Sequence, residues 1–281
     1  MDKKKDKYWD NAVLLNKEIS VIGFNAIKQY PLSKNVGSLE TSKHFFSPKS
    51  GKKILDIGCG YGRFLFECYD KGLECHGIDF SKNMIEKGRQ LAEISGKKIT
   101  FYHDSIKNFN FPDNSFDYIW CYGVTSYLSL YELKLLLQKI SKILKPAGSA
   151  FLEFRNKWHI MAIFTEFLLT FRAPDISGTR KSYSIPQIKK IITPFNFKIK
   201  RILSESNILF PMFIPKNAGK FNELATESMP KNLNKIHFIP IFPEKIITIL
   251  YRFFNFLWRA SINGNKFATF LSKDYIIVLD K

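Results

Sequence analysis

The feature that most constrains the fold is an apolar strand that runs directly into a glycine-rich loop and then into a helix. Residues 53–57 form a short apolar run, which predicts a buried strand, and residues 63–70 have the pattern of a helix. Between them stand Gly58, Gly60 and Gly62. Glycines in such a loop let the backbone pass close to a ligand, and the first turn of a helix offers unpaired N–H groups. The segment therefore predicts an α/β fold with a ligand site at the carboxyl end of this strand.

Strands and helices continue to alternate as far as residue 155. Ser81 is a predicted N-cap, Gly96 a predicted helix stop, and residues 145–148 a predicted turn. Alternation at this spacing predicts crossover connections and a mostly parallel sheet with helices on both faces. The predicted strands are 53–57, 73–79, 99–103, 116–121 and 149–154, and the predicted helices are 63–70, 81–95 and 130–144.

The C-terminal half of the chain is less regular. Two further strands are predicted at 197–203 and 275–279, and a short helix with proline in its first turn begins at Ile185. Residues 157–172 and 242–260 are predicted to form very apolar helices. Helices of this kind are either buried or set into a membrane interface. We predict that they roof the active site as a cap, and contact with a membrane surface or a long-chain substrate is the alternative.

Two acidic residues close the strands that follow the glycine loop. Asp79 ends the second predicted strand, and Asp104 follows the third. The carboxyl ends of parallel strands are where open α/β sheets bind ligands. The dinucleotide fingerprint G-x-G-x-x-G is absent, because Arg63 stands where its last glycine would be. The two acids predict contacts with a ribose diol and with an adenine amino group.

Together these segments resemble, in order and spacing, the motifs of class I S-adenosylmethionine (SAM)-dependent methyltransferases. The likeness is close over residues 50–155 and weaker at 183–187 and in the last strand. It implies a Rossmann-like, seven-stranded, mostly parallel sheet with a helical cap inserted in the C-terminal half, SAM as the cofactor, and methyltransferase activity. The segments that carry it are 54–62, 77–81, 103–105, 116–119 and 144–148.

The resemblance also implies which residues bind the cofactor. The implied contacts are Tyr8 closing over SAM, Asp56 ordering the loop, Gly58 and Gly60 under the methionine part, Asp79 on the ribose hydroxyls, Phe80 and Met84 beside the adenine, Asp104 and Ser105 at the adenine amino group, and Cys121 with Tyr122 at the methyl-donor end.

The residues after the fourth predicted strand narrow the range of acceptors. Residues 121–124 read Cys-Tyr-Gly-Val where amino-methylating nucleic-acid enzymes of this class carry an Asn/Asp-Pro-Pro-aromatic tetrad, so that chemistry loses support. A poorly acidic hydroxyl acceptor would need a general base. The candidates are Tyr127 and His159, with Arg155 at the same edge of the sheet. The four cysteines lack CxxC spacing, which predicts no metal site, no disulfide framework and a cytoplasmic location.

The net charge of +18 is distributed unevenly along the chain. Residues 155–281 contribute +12, whereas residues 51–154 contribute only +2. A basic half suits anionic partners such as nucleic acid, an anionic membrane or a phosphorylated substrate. A lysine-rich composition without a specific partner is the alternative interpretation.

These observations lead to one predicted organisation and function. Residues 1–50 are predicted to be an N-terminal helical segment that closes over the cofactor, and 51–155 the SAM-binding core. Residues 156–281 would supply the remaining strands and a cap at 156–195 and 205–270. The predicted function is methyl transfer from SAM to oxygen of a small-molecule or lipid-linked acceptor, envelope glycans included. An RNA methyltransferase and a non-catalytic, membrane-peripheral SAM-binding protein are the alternatives. No signal peptide or membrane-spanning helix is predicted.

Overall fold

The structure, a computed structural model, describes residues 46–159, 180–205 and 274–281. Tyr8 and most of the predicted N-terminal segment, together with nearly all of both predicted apolar helices, lie outside these ranges. The described strands are β1 Lys53–Ile57, β2 Glu74–Asp79, β3 Ile99–His103, β4 Phe116–Cys121, β5 Leu144–Arg155, β6 Lys198–Glu205 and β7 Asp274–Asp280. The described α-helices are α1 Arg63–Asp70, α2 Lys82–Ile94, α3 Leu130–Ile143 and α4 Ile185–Ile192.

The strands form one seven-stranded sheet in the order β3-β2-β1-β4-β5-β7-β6. The neighbours from β3 to β5 pair in parallel, and β7 lies antiparallel between β5 and β6. This arrangement confirms the predicted seven-stranded, mostly parallel α/β sheet. From β1 the chain winds outwards to β3 and then returns to place β4 on the other side of β1. The carboxyl ends of β1 and β4 therefore flank the switch point at which such sheets bind ligands.

The two faces of the sheet carry separate apolar clusters. Residues in β4 alternate between them, because successive side chains of a strand point to opposite faces. Ile119 and Cys121 pack with α3 and α4, whereas Trp120 packs with α1 and α2. Phe64 of α1 stacks on Trp120 with 4.4 Å between ring centroids. Helices thus cover both faces, as predicted, and leave the strand ends to build the site.

The N-terminus of α2 begins where the sequence predicts it. The Ser81 hydroxyl accepts a hydrogen bond from the Met84 backbone N–H at 3.3 Å, so Ser81 is the N-cap. The cap lies two residues after Asp79, the last residue of β2. This places the first turn of α2 beside the glycine loop.

The start of β5 differs from the prediction of a turn at 145–148 followed by a strand from residue 149. Leu144 already pairs with Phe116, and the next paired residue, Ser149, lies opposite Tyr118. The residues between them form an irregularity in which Ala147 has a φ of +61°. Proline and glycine here mark a bulge inside a strand rather than a loop before it. The strand consequently begins at Leu144.

Helix α4 lies within the range predicted for the cap. Its Ile188 and Ile192 are fully buried in the same cluster as α3. Because this burial covers the sheet, α4 belongs to the layers of the core rather than to a roof over the site. None of the helices in the described ranges combines the length and apolarity needed to cross a bilayer.

Candidate functional site

A cavity of about 270 Å³ opens at the carboxyl ends of β1, β2 and β4. Its walls come from the loops that follow these strands and from the loop after β3. The cavity is mostly apolar, with two carboxylates, which is the usual make-up of a site for a small organic ligand. The lining residues are Ile57, Gly58, Gly60, Ile78, Asp79, Phe80, Met84, Asp104, Ile106, Phe109, Tyr122, Gly123, Val124, Tyr127 and Leu128.

The glycine loop forms the floor of the cavity. The backbone N–H groups of Gly58 and Cys59 both donate to the Ile78 carbonyl oxygen, at 2.8 and 3.1 Å, which holds the loop to the end of β2. Gly58 has a φ of +76°, and a Cβ there would overlap Val124 Cγ2. Only glycine adopts this φ without strain and leaves room for the Val124 methyl group. The glycine thus lets the loops after β1 and β4 touch.

Asp79 orders the glycine loop as well as lining the cavity. Its Oδ2 accepts from the Gly60 N–H and its Oδ1 from the Ser81 N–H, both at 2.9 Å. Burial raises the pKa of the Asp79 carboxyl, and the two N–H bonds act in the opposite direction. A carboxylate oxygen has more than one acceptor site, so Asp79 can still receive hydrogen bonds from a ligand. Its two roles are therefore compatible.

Asp56 lies in β1 directly behind the loop and does not line the cavity. Its side chain is buried, and burial together with the nearby charge of Asp79 raises its pKa to about 8. A carboxyl group with this pKa is largely protonated at neutral pH and can donate a hydrogen bond. Asp56 is therefore buried next to the loop and is not part of the wall of the cavity.

The loops after β2 and β3, together with the first turn of α2, supply a second part of the lining. Phe80, Met84 and Asp104 belong to it. The Asp104 backbone N–H donates to the Asp79 carbonyl oxygen at 3.0 Å, and the Ser105 N–H donates to Asp104 Oδ1 at 2.7 Å. Ser105 is not among the lining residues. Of the predicted adenine pocket, the structure brings Phe80, Met84 and Asp104 into one wall and leaves Ser105 behind it.

The loop after β4 forms the remaining wall. Cys121 itself is fully buried in the core on the α3 side and does not line the cavity. Burial raises the pKa of its thiol well above the usual value. The lining residues on this side are Tyr122, Gly123, Val124, Tyr127 and Leu128.

Glu153 of β5 holds this loop and was not predicted from the sequence. Its side chain is buried, and Oε2 accepts a hydrogen bond from the Gly123 N–H at 2.8 Å. The Thr125 hydroxyl donates to the Glu153 carbonyl oxygen. The only available signal was its place near the carboxyl end of a predicted strand, which many structural residues share.

The two predicted general bases occupy different positions. Tyr127 lines the cavity. His159 follows β5, is 3% exposed and does not line the cavity. The structure therefore brings Tyr127, but not His159, to the wall beside the glycine loop. Within the three described ranges, no cluster of three or more metal-ligating side chains occurs.

Comparison with known proteins agrees with this geometry. The family model for a methyltransferase domain matches residues 54–148, which run from β1 to the irregularity in β5. Residues 54–148 are thus similar to a methyltransferase domain, and the named methyltransferases among the relatives support SAM-dependent methyl transfer. The matched range contains the glycine loop, Asp79, Asp104 and the wall after β4, whereas Glu153 lies just beyond it.

The named relatives differ in the substrates that their names give. The chain is 36% identical over 118 residues to a phosphoethanolamine N-methyltransferase of Plasmodium falciparum, covering 40% of this chain and 44% of that protein. It is 25% identical over 202 residues to a demethylmenaquinone methyltransferase of Staphylococcus aureus, covering 66% of this chain and 82% of that protein. The chain spans about half the length of several curated relatives that it matches.

Solved structures share the fold at low identity. A phosphoethanolamine N-methyltransferase of Haemonchus contortus in complex with SAM matches with a TM-score of 0.54 and 20% identity, covering 86% of this chain and 51% of that one. A cyclopropane synthase of Mycobacterium tuberculosis matches with a TM-score of 0.55 and 16% identity, covering 86% of this chain and 83% of that one. Because identities in this range establish the fold alone, they extend the likeness beyond the methyltransferase domain without naming an acceptor.

Proposed function

We propose that this chain transfers a methyl group from SAM to a small-molecule acceptor bound at the carboxyl edge of the sheet. The observation that carries the proposal is the cavity itself, in which the glycine loop, Asp79, Asp104 and the wall after β4 converge. Its size and its mostly apolar lining with a few polar groups suit a small organic ligand.

The residues present fit SAM. A Cβ at Gly60 would stand 3.8 Å from the Met84 sulfur, so the loop backbone passes close beneath the cavity. In the proposal Gly58 and Gly60 underlie the methionine part, with Asp56 as support, and Asp79 accepts hydrogen bonds from the ribose hydroxyls. Phe80, Met84 and Asp104 surround the adenine with Ser105 behind them, Cys121 supports the methyl-donor end from behind, and Tyr8 closes over the cofactor.

Bound SAM supplies an electrophilic methyl group on its sulfonium. The protein then contributes mainly by holding the acceptor in line with that group and by excluding water. The wall from Tyr122 to Leu128 is the proposed place for the acceptor, because it meets the glycine loop at Val124 and brings Tyr122 and Tyr127 to the cavity. If the acceptor is a hydroxyl, we propose that the Tyr127 phenol takes part in moving its proton, and His159 stays a second candidate. Methylation at oxygen and a lipid-linked acceptor stay predictions from the sequence.

The first test is calorimetry of SAM binding to the full chain and to Asp79→Asn. Asparagine keeps the size of the side chain and one acceptor oxygen but removes the carboxylate. We expect affinity to fall by about 10- to 100-fold, because a charged hydrogen bond contributes roughly 1.5–3 kcal/mol. Asp113→Asn removes an exposed carboxylate outside the cavity and serves as the matched control. A wild-type chain that does not bind SAM would overturn the proposal.

Transfer itself needs a second measurement. Radiolabelled SAM offered with panels of small hydroxyl, amine and quinol compounds would show a labelled product if the chain is an enzyme. SAM binding without transfer to any compound, together with binding to anionic vesicles, would instead favour a non-catalytic membrane-peripheral protein. Labelled RNA would favour the RNA methyltransferase.

A further inference from the structure

A partly buried cation, Arg180, lies beyond the acceptor wall. Its guanidinium carbon lies 5.8 Å from the centroid of the Tyr127 ring. Its Nε is buried and has no hydrogen-bond acceptor among the residues that the structure describes. No carboxylate in the same ranges forms an ion pair with Arg180. A buried N–H without an acceptor is unfavourable, and a guanidinium offers planar paired donors that match an oxyanion.

The backbone around Arg180 is held firmly in place. The Lys181 N–H donates to the Ser126 carbonyl oxygen, and the Tyr183 N–H donates to the Arg155 carbonyl oxygen at 2.8 Å. Asn156 and Tyr183 form a parallel bridge. The segment 180–183 is thus joined to the loop after β4 and to the end of β5. These bonds fix Arg180 beside the acceptor wall.

The position of Arg180 relative to the cavity sets what it could bind. Tyr127 lines the cavity, whereas Arg180 lies against the tyrosine ring and does not line it. A cation near an aromatic face is stabilised there. A group bound to Arg180 would therefore lie beside the Tyr127 ring, next to the cavity. In the described part of the chain, the lining of the cavity itself carries two carboxylates, Asp79 and Asp104, and no Lys or Arg side chain.

We propose that Arg180, stacked on Tyr127, forms a subsite for an oxyanion group of the methyl acceptor, either a phosphate or a carboxylate. The acceptor would place its reacting atom in the cavity and its anionic end beyond the Tyr127 ring. This proposal rests on the proposed function, since it names the chemical class of the acceptor. The charge of +12 carried by residues 155–281 of the sequence favours an anionic ligand.

The test uses inorganic phosphate and acetate as probes of the full chain saturated with SAM. Both are titrated against chloride at equal ionic strength, and binding is followed by the thermal midpoint and by calorimetry. We expect phosphate, acetate or both to bind. Tighter binding of phosphate would indicate a phosphate group on the acceptor, and tighter binding of acetate would indicate a carboxylate. In Arg180→Gln the half-saturating concentration should rise at least about tenfold, the scale of one charged hydrogen bond. Lys181→Gln removes a neighbouring exposed charge and should change the half-saturating concentration less than about twofold.

A second measurement needs no variant. Phenylglyoxal modifies accessible arginines, and mass spectrometry would report the modified fraction of the peptide that contains Arg180. Phosphate or acetate should protect Arg180 and leave Arg201, at the far edge of the sheet in β6, unprotected.

The outcomes separate this proposal from the proposed function. If neither anion binds or protects, or if Lys181→Gln weakens binding as much as Arg180→Gln, the subsite is overturned while SAM binding stands. If SAM fails to bind but the anion still depends on Arg180, the proposed function fails and the oxyanion site remains. Arg180→Gln should bind SAM as the wild type does, because Arg180 does not line the cavity.

Discussion

The contact between Gly58 and Val124 gives a sharp test of how the cavity is built. In Gly58→Ala two costs combine. A φ of +76° is a left-handed conformation that costs an alanine about 1–2 kcal/mol. In addition the new Cβ overlaps Val124 Cγ2, and restoring ordinary carbon contacts of about 3.5–4.0 Å requires the two loops to separate by more than about 1 Å.

The second cost bears directly on the ligand site. The loops after β1 and β4 both line the cavity, so their separation misplaces the groups that would hold SAM. We expect Gly58→Ala to lower SAM affinity at least about tenfold, or ~1.4 kcal/mol, in calorimetry. Adding Val124→Ala removes the overlapping methyl group, so the double variant should recover part of the affinity but none of the backbone cost.

Gly96→Ala is the matched control. Gly96 has a φ of +65° at the end of α2, and a Cβ there would meet nothing within 4 Å, so this position bears the backbone cost alone. The substitution should lower the thermal midpoint and leave SAM affinity unchanged. Wild-type SAM affinity in Gly58→Ala, or a double variant with no coupling between the two sites, would refute the reasoning.

Two further predictions concern buried carboxyl groups. Burial and the charge of Asp79 raise the pKa of Asp56 from 3.8 to about 8. Between these two pH values the folded state therefore binds more protons than the unfolded state, and the free energy of unfolding should fall as the pH rises. The Asp56→Asn side chain cannot ionise, so in denaturant titrations this variant should be stabilised relative to the wild type more at pH 8 than at pH 5. An equal difference at both pH values would contradict a raised pKa of Asp56. Glu153→Ala removes the acceptor of the Gly123 N–H and should cost about 0.5–1.5 kcal/mol of stability, the contribution of a typical hydrogen bond, because Gly123 is exposed and water can replace the acceptor. Glu153→Gln keeps an acceptor oxygen and should cost clearly less, in the same denaturant titrations, so equal losses would show that the hydrogen bond is not the reason.

Much of the parallel half of the fold could be predicted from local sequence. The runs that become β1, β3 and β4 are apolar and end at glycine or polar residues, so their bounds match the structure. Ser81 was recognisable as a cap because the hydroxyl needs only the first turn of its own helix. Signals of this kind depend on neighbours in the chain, and the sequence displays them directly.

The remaining features depend on contacts between distant residues. The early start of β5 required knowing that Leu144 pairs with Phe116 despite the proline and glycine that follow. Strand alternation predicts that Cys121 and Trp120 point to opposite faces of the sheet. That Cys121 is buried against α3 depends on how this distant helix packs. Arg180 gave no local signal, because its position depends on backbone bonds to Ser126 and Arg155.

The pairing of Asn156 with Tyr183 has a consequence for how such a protein can diversify. The chain leaves the sheet after β5 and returns to the same point, where the Lys157 N–H donates to the Tyr183 carbonyl oxygen at 3.1 Å. The residues between these two positions are therefore an excursion closed at its base. Lengthening or replacing such an excursion costs little closure entropy, because the ends stay paired whatever lies between. The chain could exchange this stretch while the strands that build the cavity remain as they are.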